Sequence, residues 1–326
     1  MALATERTGA VSIDAVRAAA RGLLGIAVGT PTLEIPSVSS RVGVPVALKC
    51  EHLQPTGAFK IRGAHTAIAR IALAGDVSGV VAHSSGNHGQ AVAYAARRFG
   101  LRAVIVMPAS APAIKVEGVR RHGGEVVLAG ATRSAEQQLK AEQLAREQRL
   151  AMIPPYDHPD IIAGQGTCGL EILEQRPDVE TILVPVSGGG LIAGICVAVG
   201  ALKPTVRVIG VEPEGAAKLS AALVAGEPRT LERTASMADG LLARSVGHIT
   251  FPILRTVVRE AVRVSEENIA DAVRFLYREA GLSVEPSGAV ATAALLAGRV
   301  RPTGPTVAVL SGGNVDPQLF QRLVRA

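Results

Sequence analysis

Three apolar runs in this chain each end directly in a glycine-rich loop. Residues 80–82 lead to Ser84-Ser85-Gly86-Asn87-His88-Gly89, residues 181–186 to Ser187-Gly188-Gly189-Gly190, and residues 306–310 to Ser311-Gly312-Gly313-Asn314. Short apolar runs closed by glycine read as buried strands, and helical patterns follow the first two loops. Strand, loop and helix in repeated succession require an α/β architecture, with mainly parallel sheets covered by helices on both faces. The 326 residues suffice for two lobes with a cleft between them. The core must be built from Ala, Val, Leu and Ile, because there is no Trp, with only three Tyr and five Phe.

Composition narrows the function. A 48% hydrophobic and 19% charged chain is too apolar for disorder. The net charge of +6 suits an anionic ligand or a basic surface. Nucleic acid is disfavoured, since the pairs Arg97-Arg98 and Arg120-Arg121 are isolated and aromatic stacking platforms are scarce. Cys50, Cys168 and Cys196 show no paired spacing, which argues against a disulfide framework or structural zinc and fits a reducing cytosol. No secretory signal is evident around Glu6 and Asp14. Residues 181–202 carry no charge, but Pro185 and the glycines break them into strand, loop and helix rather than a membrane span.

The same patterning sets element boundaries. Ser12 should cap a helix reaching Arg21, and Ser265 one reaching Ala280. Residues 44–53 read as a strand, 60–74 as a helix, 90–99 as a helix, and 103–107, 125–128 and 151–153 as strands. Helices are expected near 115–121 and over 134–148, and a loop through Asp160 should precede a helix over 167–173. The segment 191–202 reads as a helix and 206–211 as a strand.

Ligands of open α/β sheets bind beyond the carboxyl ends of the strands. Glycines there let backbone approach the ligand, and free N–H groups at the following helix start attract an anion. The loop 187–190 is the best such cradle, because no cation adjoins it. A dinucleotide reading competes: Gly188, Gly190 and Ala193 match G-x-G-x-x-A, and Glu212 stands where a ribose-binding acid would, as in a nicotinamide-dependent dehydrogenase. Lys60 offers different chemistry. It sits where the turn Pro55-Thr56-Gly57 meets a helix start, flanked by Phe59 and Ile61. A helix N-terminus disfavours an ammonium, and a neutral amine is what a Schiff base needs. A solvated surface lysine is the plainer alternative.

The segments AFKIRGA (58–64), HSSGNHGQAVAYAA (83–96), IAGQGT (162–167), VPVSGGGLIAGI (184–195), VEPSGAV (284–290) and VLSGGNVD (309–316) together resemble the serine/threonine dehydratase and serine racemase family. These are pyridoxal-phosphate enzymes of fold type II, the tryptophan-synthase-β-like fold. The resemblance spans nearly the whole chain. It implies a large cofactor-binding domain from 1–79 and 158–326, and a small mobile domain from 80–157 that closes over substrate. Pyridoxal 5'-phosphate is the implied cofactor and a small amino acid the substrate. A homodimer in the cytoplasm is expected, with neither nucleic acid nor membrane as partner.

The resemblance also implies roles. Lys60 would carry the cofactor as a Schiff base and later move the α-proton, and Phe59 would pack near the ring. Asn87 would hydrogen-bond the ring's 3-oxygen. Ser187, Gly188, Gly189, Gly190 and Leu191 would form the phosphate loop, and Ser311 would face the pyridine nitrogen. Ser84, Ser85, Asn87 and His88 would receive the substrate carboxylate. Ser85 would be the second catalytic residue, the proton donor on the opposite face in racemases. His88 reads as a positioning group rather than a base. His83 should end a buried strand and His158 should lie in a loop. Cys168 and Cys196 should serve as packing. Arg133 could reach a carboxylate, but carries no assignment.

The chain departs from the family pattern in places. Ala58 stands where many members have Ser. Ser187 replaces the first glycine of the usual four. Metal-binding members carry Glu, a backbone carbonyl four residues on and Asp two further. Here Glu212 and Ala216 match, but Lys218 takes the third place, so no metal site is expected. No C-terminal feedback domain is expected either. The activity implied is a dehydratase, an ammonia-lyase converting a β-hydroxy amino acid such as L-threonine or L-serine to a 2-oxo acid and ammonia. The alternatives are a serine racemase, or a dehydratase for 3-hydroxyaspartate, phenylserine or a hydroxyectoine-derived substrate. A non-catalytic binding protein stands outside the class, as does the dehydrogenase.

Overall fold

A computed structural model describes residues 11–84, 86–111, 113–132 and 135–325. In chain order the elements are α1 (Ile13–Gly22), β1 (Thr32–Glu34), α2 (Pro36–Val42), β2 (Val46–Lys49), α3 (Lys60–Ala74), β3 (Gly79–His83), α4 (Asn87–Arg98), β4 (Arg102–Met107), α5 (Ala113–Arg121) and β5 (Glu125–Leu128). There follow α6 (Ala135–Glu147), β6 (Leu150–Met152), α7 (Pro159–Gln175), β7 (Thr181–Pro185), α8 (Gly190–Leu202), β8 (Arg207–Pro213), α9 (Lys218–Ala225), α10 (Thr250–Val257), β9 (Glu260–Val264), α11 (Glu266–Ala280), α12 (Pro286–Leu296), β10 (Thr306–Val309) and α13 (Pro317–Arg325).

The strands form two sheets, one ordered β1-β2-β10-β7-β8-β9 and the other β5-β4-β3-β6. Every pairing is parallel except that of the edge strand β1 with β2. Both faces of each sheet are covered, as continuous apolar strands demand. In the larger sheet Leu48, Leu183, Ile209 and Ala308 pack towards α11 and α12, whereas Ala47, Ile182, Val208 and Val307 face the cluster of α7, α8 and α10. In the smaller sheet Val80, Ala82 and Ile105 face α3 and α4, while Val81, Val104 and Val106 face α6. This alternation is the period-2 geometry of a strand expressed on two covered faces.

The capping signals act as read. The Ser12 hydroxyl accepts from the Ala15 N–H at 3.1 Å, and Ser265 forms a reciprocal capping box with Asn268. The uncharged stretch 181–202 is β7, a loop and α8, and no described helix is long and apolar enough to cross a membrane.

Several boundaries differ from the sequence reading. The strand expected over 44–53 ends at Lys49, because Cys50 leaves extended geometry (ψ 58°) and a 3-10 turn, Glu51–Leu53, follows. Helix α4 begins at Asn87 rather than Gln90, so Asn87, His88 and Gly89 form its first turn. The largest correction is α7, which begins at Pro159 instead of Thr167. His158 is its N-cap, accepting the Asp160 N–H through Nδ1, and Pro159 fits the first helical position. The glycines of α7 permit close helix contacts: a Cβ on Gly166 would stand 2.9 Å from the Gly194 carbonyl of α8.

Beneath these helices lies an ion cluster that no local pattern announced. Arg62 is 1% exposed. It donates to Glu51 at 2.7 and 2.8 Å, to Glu171 at 2.6 and 2.8 Å and to the Thr167 hydroxyl at 2.9 Å. Fully buried Lys49 shares Glu171 at 2.6 Å. Burial opposes charge on Glu51, but the Arg62 guanidinium outweighs it and holds the carboxyl below its usual range. Removing one partner strands a buried charge, at a cost of about 3–5 kcal/mol. Arg62→Ala should therefore lower unfolding free energy by about that amount in denaturant melts, and a loss below about 1 kcal/mol would contradict a structural role for the cluster.

Candidate active site

Because the strands run parallel, their carboxyl ends bring distant loops together. After β2, residues 55–59 turn into α3, placing Lys60 at its first position. Backbone bonds stitch this turn to the loop after β10. The Phe59 N–H donates to the Ser311 carbonyl at 3.1 Å, and the Gly313 N–H donates to the Gly57 carbonyl at 2.9 Å. The Lys60 ammonium donates to the Pro155 carbonyl at 2.6 Å, in the loop after β6. The next residue, Tyr156, lies against the glycine loop after β7, where a Cβ on Gly188 would enter its ring. Asp157 fastens this loop, accepting N–H groups of His248, Ile249 and Thr250 at 2.9, 2.8 and 3.2 Å. Lys60 and the glycine loop thus flank one short segment.

The glycine loop is built for close approach. Gly189 adopts φ 95°, a left-handed conformation that favours glycine, and caps α8 with no side-chain hydrogen bond. The opening N–H groups of α8, among them those of Gly190 and Leu191, have no acceptor within the helix. The Gly188 carbonyl is held by the Gly247 N–H and the Thr250 hydroxyl, each at 3.0 Å. Ser187 turns its hydroxyl towards the Ala243 N–H at 3.4 Å. Such a cradle, filled by any added Cβ and lined with backbone donors, fits a phosphate. Lys60 beside it fits an aldehyde cofactor, so the residues present suit pyridoxal phosphate.

The opposite wall comes from β3 and α4. Ser84 accepts the Gly86 N–H at 3.2 Å, and Ser85 lies outside the described residues, as does Arg133. Asn87 donates to Glu285 at 2.6 Å and accepts from the Asn314 amide at 2.9 Å. Buried His88 pairs its Nε2 with the Ile153 carbonyl at 3.0 Å, which requires the proton on Nε2. Burial, reinforced by the Lys60 charge, pushes its pKa down to about 3, so it is neutral and serves position rather than proton transfer. Ser311 is 4% exposed, its hydroxyl 3.4 Å from the Ser287 carbonyl.

Sequence reasoning did not assign roles to Glu285, Tyr156, Asp157 or Asn314. Glu285 had a signal, an acid directly before Pro286 in an otherwise apolar run. It is 5% exposed and lies against Gly312. Burial and the neighbouring Asp239 push its pKa up to about 8. The three cysteines are buried, and Cys168 and Cys196 pack in the core on α7 and α8 as expected, their thiols pushed up by burial.

Glu212 decides against the dinucleotide reading. Its carboxylate is fully buried and accepts the N–H groups of Leu219 and Ser220 at 2.7 and 2.9 Å and the Ser220 hydroxyl at 2.9 Å. Both oxygens are engaged within the chain, and full burial keeps a ribose from reaching them. The Lys218 ammonium lies 3.6 Å from it, so the residues present do not fit a divalent cation.

Residues 24–312 match the family described as pyridoxal-phosphate dependent enzyme. The chain belongs to this family. It is 41% identical to the L-threonine ammonia-lyase of Thermotoga maritima over 96% of this chain and 78% of that one. It is 37% identical to the L-threo-3-hydroxyaspartate ammonia-lyase of a Pseudomonas species, over 96% and 98%. Among solved structures, maize serine racemase superposes with a TM-score of 0.92 at 37% identity, covering 97% of this chain and 98% of that chain. The fold of this chain is therefore that of the fold type II pyridoxal-phosphate enzymes.

Glu285 gives the folded chain a pH response. Between about pH 4.5 and 8 the folded chain keeps a proton that the unfolded chain releases, so stability falls as pH rises through that window. The slope is about 1.4 kcal/mol per pH unit. Glu285→Gln should flatten it in apoprotein melts taken from pH 5 to 8. An unchanged pH profile would refute the assignment.

Proposed function

We propose that this protein is an ammonia-lyase that converts a β-hydroxy amino acid, such as L-threonine or L-serine, to a 2-oxo acid and ammonia. The observation that carries the reading is Lys60 at the start of α3, held one short loop away from the phosphate-type cradle of 188–191. Family membership supplies the cofactor class.

Bound pyridoxal phosphate supplies an electron sink for the substrate's α-carbon. The backbone N–H groups of Gly188, Gly189, Gly190 and Leu191 hold its phosphate, with Ser187 beside them. Lys60 would hold the cofactor through its Nζ and, with substrate bound, would take the proton from the substrate α-carbon at that same atom. Phe59 and Asn87 would help hold the cofactor, Phe59 with an apolar face and Asn87 with the amide N–H that Glu285 leaves unused. Ser311 presents a neutral hydroxyl to the ring nitrogen. A hydroxyl cannot surrender a full proton there, which would favour loss of the β-hydroxyl as water in step with removal of the α-proton. The substrate carboxylate is received by Ser84, Ser85 and the N-terminal turn of α4, where Gly86 provides no side-chain cap and the helix dipole favours an anion. Neutral His88 keeps that turn in place. Ser85 provides the second proton-transfer position.

The reading extends to a mobile lobe, residues 80–157, closing on a larger body formed by 1–79 and 158–326. The cross-cleft pairs Asn87–Glu285 and Lys115–Asp239 support it, each joining the four-stranded unit to the other. A cytoplasmic homodimer completes the proposal, supported by three unpaired buried cysteines for the compartment and by the resemblance for the assembly.

The test is a 2-oxo acid release assay over threonine, serine, 3-hydroxyaspartate and phenylserine, with chiral analysis of remaining substrate. Release from threonine or serine is expected without accumulation of the opposite enantiomer. Enantiomer formation without oxo acid would identify a racemase instead. Lys60→Ala should lose the visible absorbance of the holoenzyme and at least about 10³-fold in turnover. Normal turnover in that variant would sink the reading.

A further inference from the structure

We propose that the Lys218 ammonium is the tethered occupant of a cation site, which lets this enzyme hold the wall of its active site without a divalent metal. Lys218 and Glu212 are both 0% exposed. The ammonium donates to the Ala216 carbonyl at 2.7 Å and the Leu241 carbonyl at 2.8 Å, with Glu212 Oε1 at 3.6 Å. Two carbonyls and a carboxylate around one positive charge are the oxygen-only donor set that a hard cation uses. A calcium ion needs its oxygens at about 2.3–2.6 Å, so one bound to the Ala216 and Leu241 carbonyls would compete with Nζ for the same two acceptors. The ammonium and a metal therefore exclude each other.

The site ties three parts of the chain together. Glu212 ends β8, Ala216 lies in the turn Glu214–Ala216, and Leu241 closes the turn Asp239–Leu241. That last turn borders the active site. Its Gly240 N–H donates to the Ser287 hydroxyl at 2.9 Å, and the Ser287 carbonyl faces the Ser311 hydroxyl. Asp239 in the same turn pairs with Lys115 of α5. A charge at Lys218 thus orders the segment that meets both Ser287, the neighbour of Ser311, and the facing lobe. Lys218 is a positioning residue, since it touches none of the reacting groups.

The experiment combines metal analysis with thermal melts of the holoenzyme, first stripped with a chelator and then given magnesium, calcium or manganese at millimolar concentration. The parent protein is expected to carry less than a tenth of an equivalent of divalent metal and to shift its melting temperature by less than 1 °C with any of them, roughly the limit for a non-binding ion. In Lys218→Asp the same cations should raise the melting temperature by several degrees, as ligation of the folded state requires. Lys218→Met should melt several degrees below the parent and bind pyridoxal phosphate about tenfold more weakly, with the parent's values recovered in part by Lys218→Arg. Stoichiometric metal in the parent, or a cation-dependent melting shift of the parent, overturns the proposal. So does a Lys218→Met protein that matches the parent in both melting and cofactor affinity. The parent titration decides even if a variant does not fold.

Discussion

The Arg62 guanidinium holds the catalytic architecture in register. It lies two residues beyond Lys60 and joins the turn after β2, the first turn of α3 and the middle of α7 through Glu51, Thr167 and Glu171. Two cations, Arg62 and Lys49, meet two carboxylates, Glu51 and Glu171, so the buried cluster is neutral as a whole. Charged groups in low dielectric tolerate little change in distance or angle. The cost of disturbing this cluster therefore fixes where α3 begins, and Lys60 inherits that placement. An amine on a flexible four-carbon stem becomes a defined reactive group because its backbone cannot slide.

Around that anchor, the site alternates backbone and side-chain contributions. Backbone supplies the phosphate cradle, the carbonyl of Pro155 beside Lys60 and the stitching of Phe59 to Ser311. These contacts need no particular side chain beyond the glycines that let chains approach. Side chains supply the polarity: neutral His88, protonated Glu285 and the Ser311 hydroxyl. Burial is the common cause of the first two states. It drives imidazole and carboxylic acid alike towards their uncharged forms, and at His88 the Lys60 charge adds to its effect.

Lys218 carries the same economy of charge to the far side of the site. A covalently attached ammonium is present at unit stoichiometry whatever the surrounding ion concentrations, whereas a bound metal responds to supply. Relatives named as lyases and racemases share this fold, so the scaffold alone does not set which reaction a member runs.

Local grammar made much of this legible before any coordinates. Strand, glycine loop and helix succeed one another within about 20 residues, so the parallel sheets, Lys60 at a helix start and the three loops could be read from the chain. The extent of α7 could not, because its glycines serve contact with α3 and α8 rather than a turn, a distinction made only by the neighbours. Helix α12 likewise carries no polar face to announce its period, since it is buried on all sides. The Arg62 cluster, the Glu285–Asn87–Asn314 chain and the seating of Tyr156 on Gly188 join residues 11 to 227 positions apart. The sequence by itself determined the fold class and the reactive amine, because local patterning and side-chain chemistry are written residue by residue. Only the tertiary structure decided which groups stay charged, since that depends on burial and on partners brought together from remote parts of the chain.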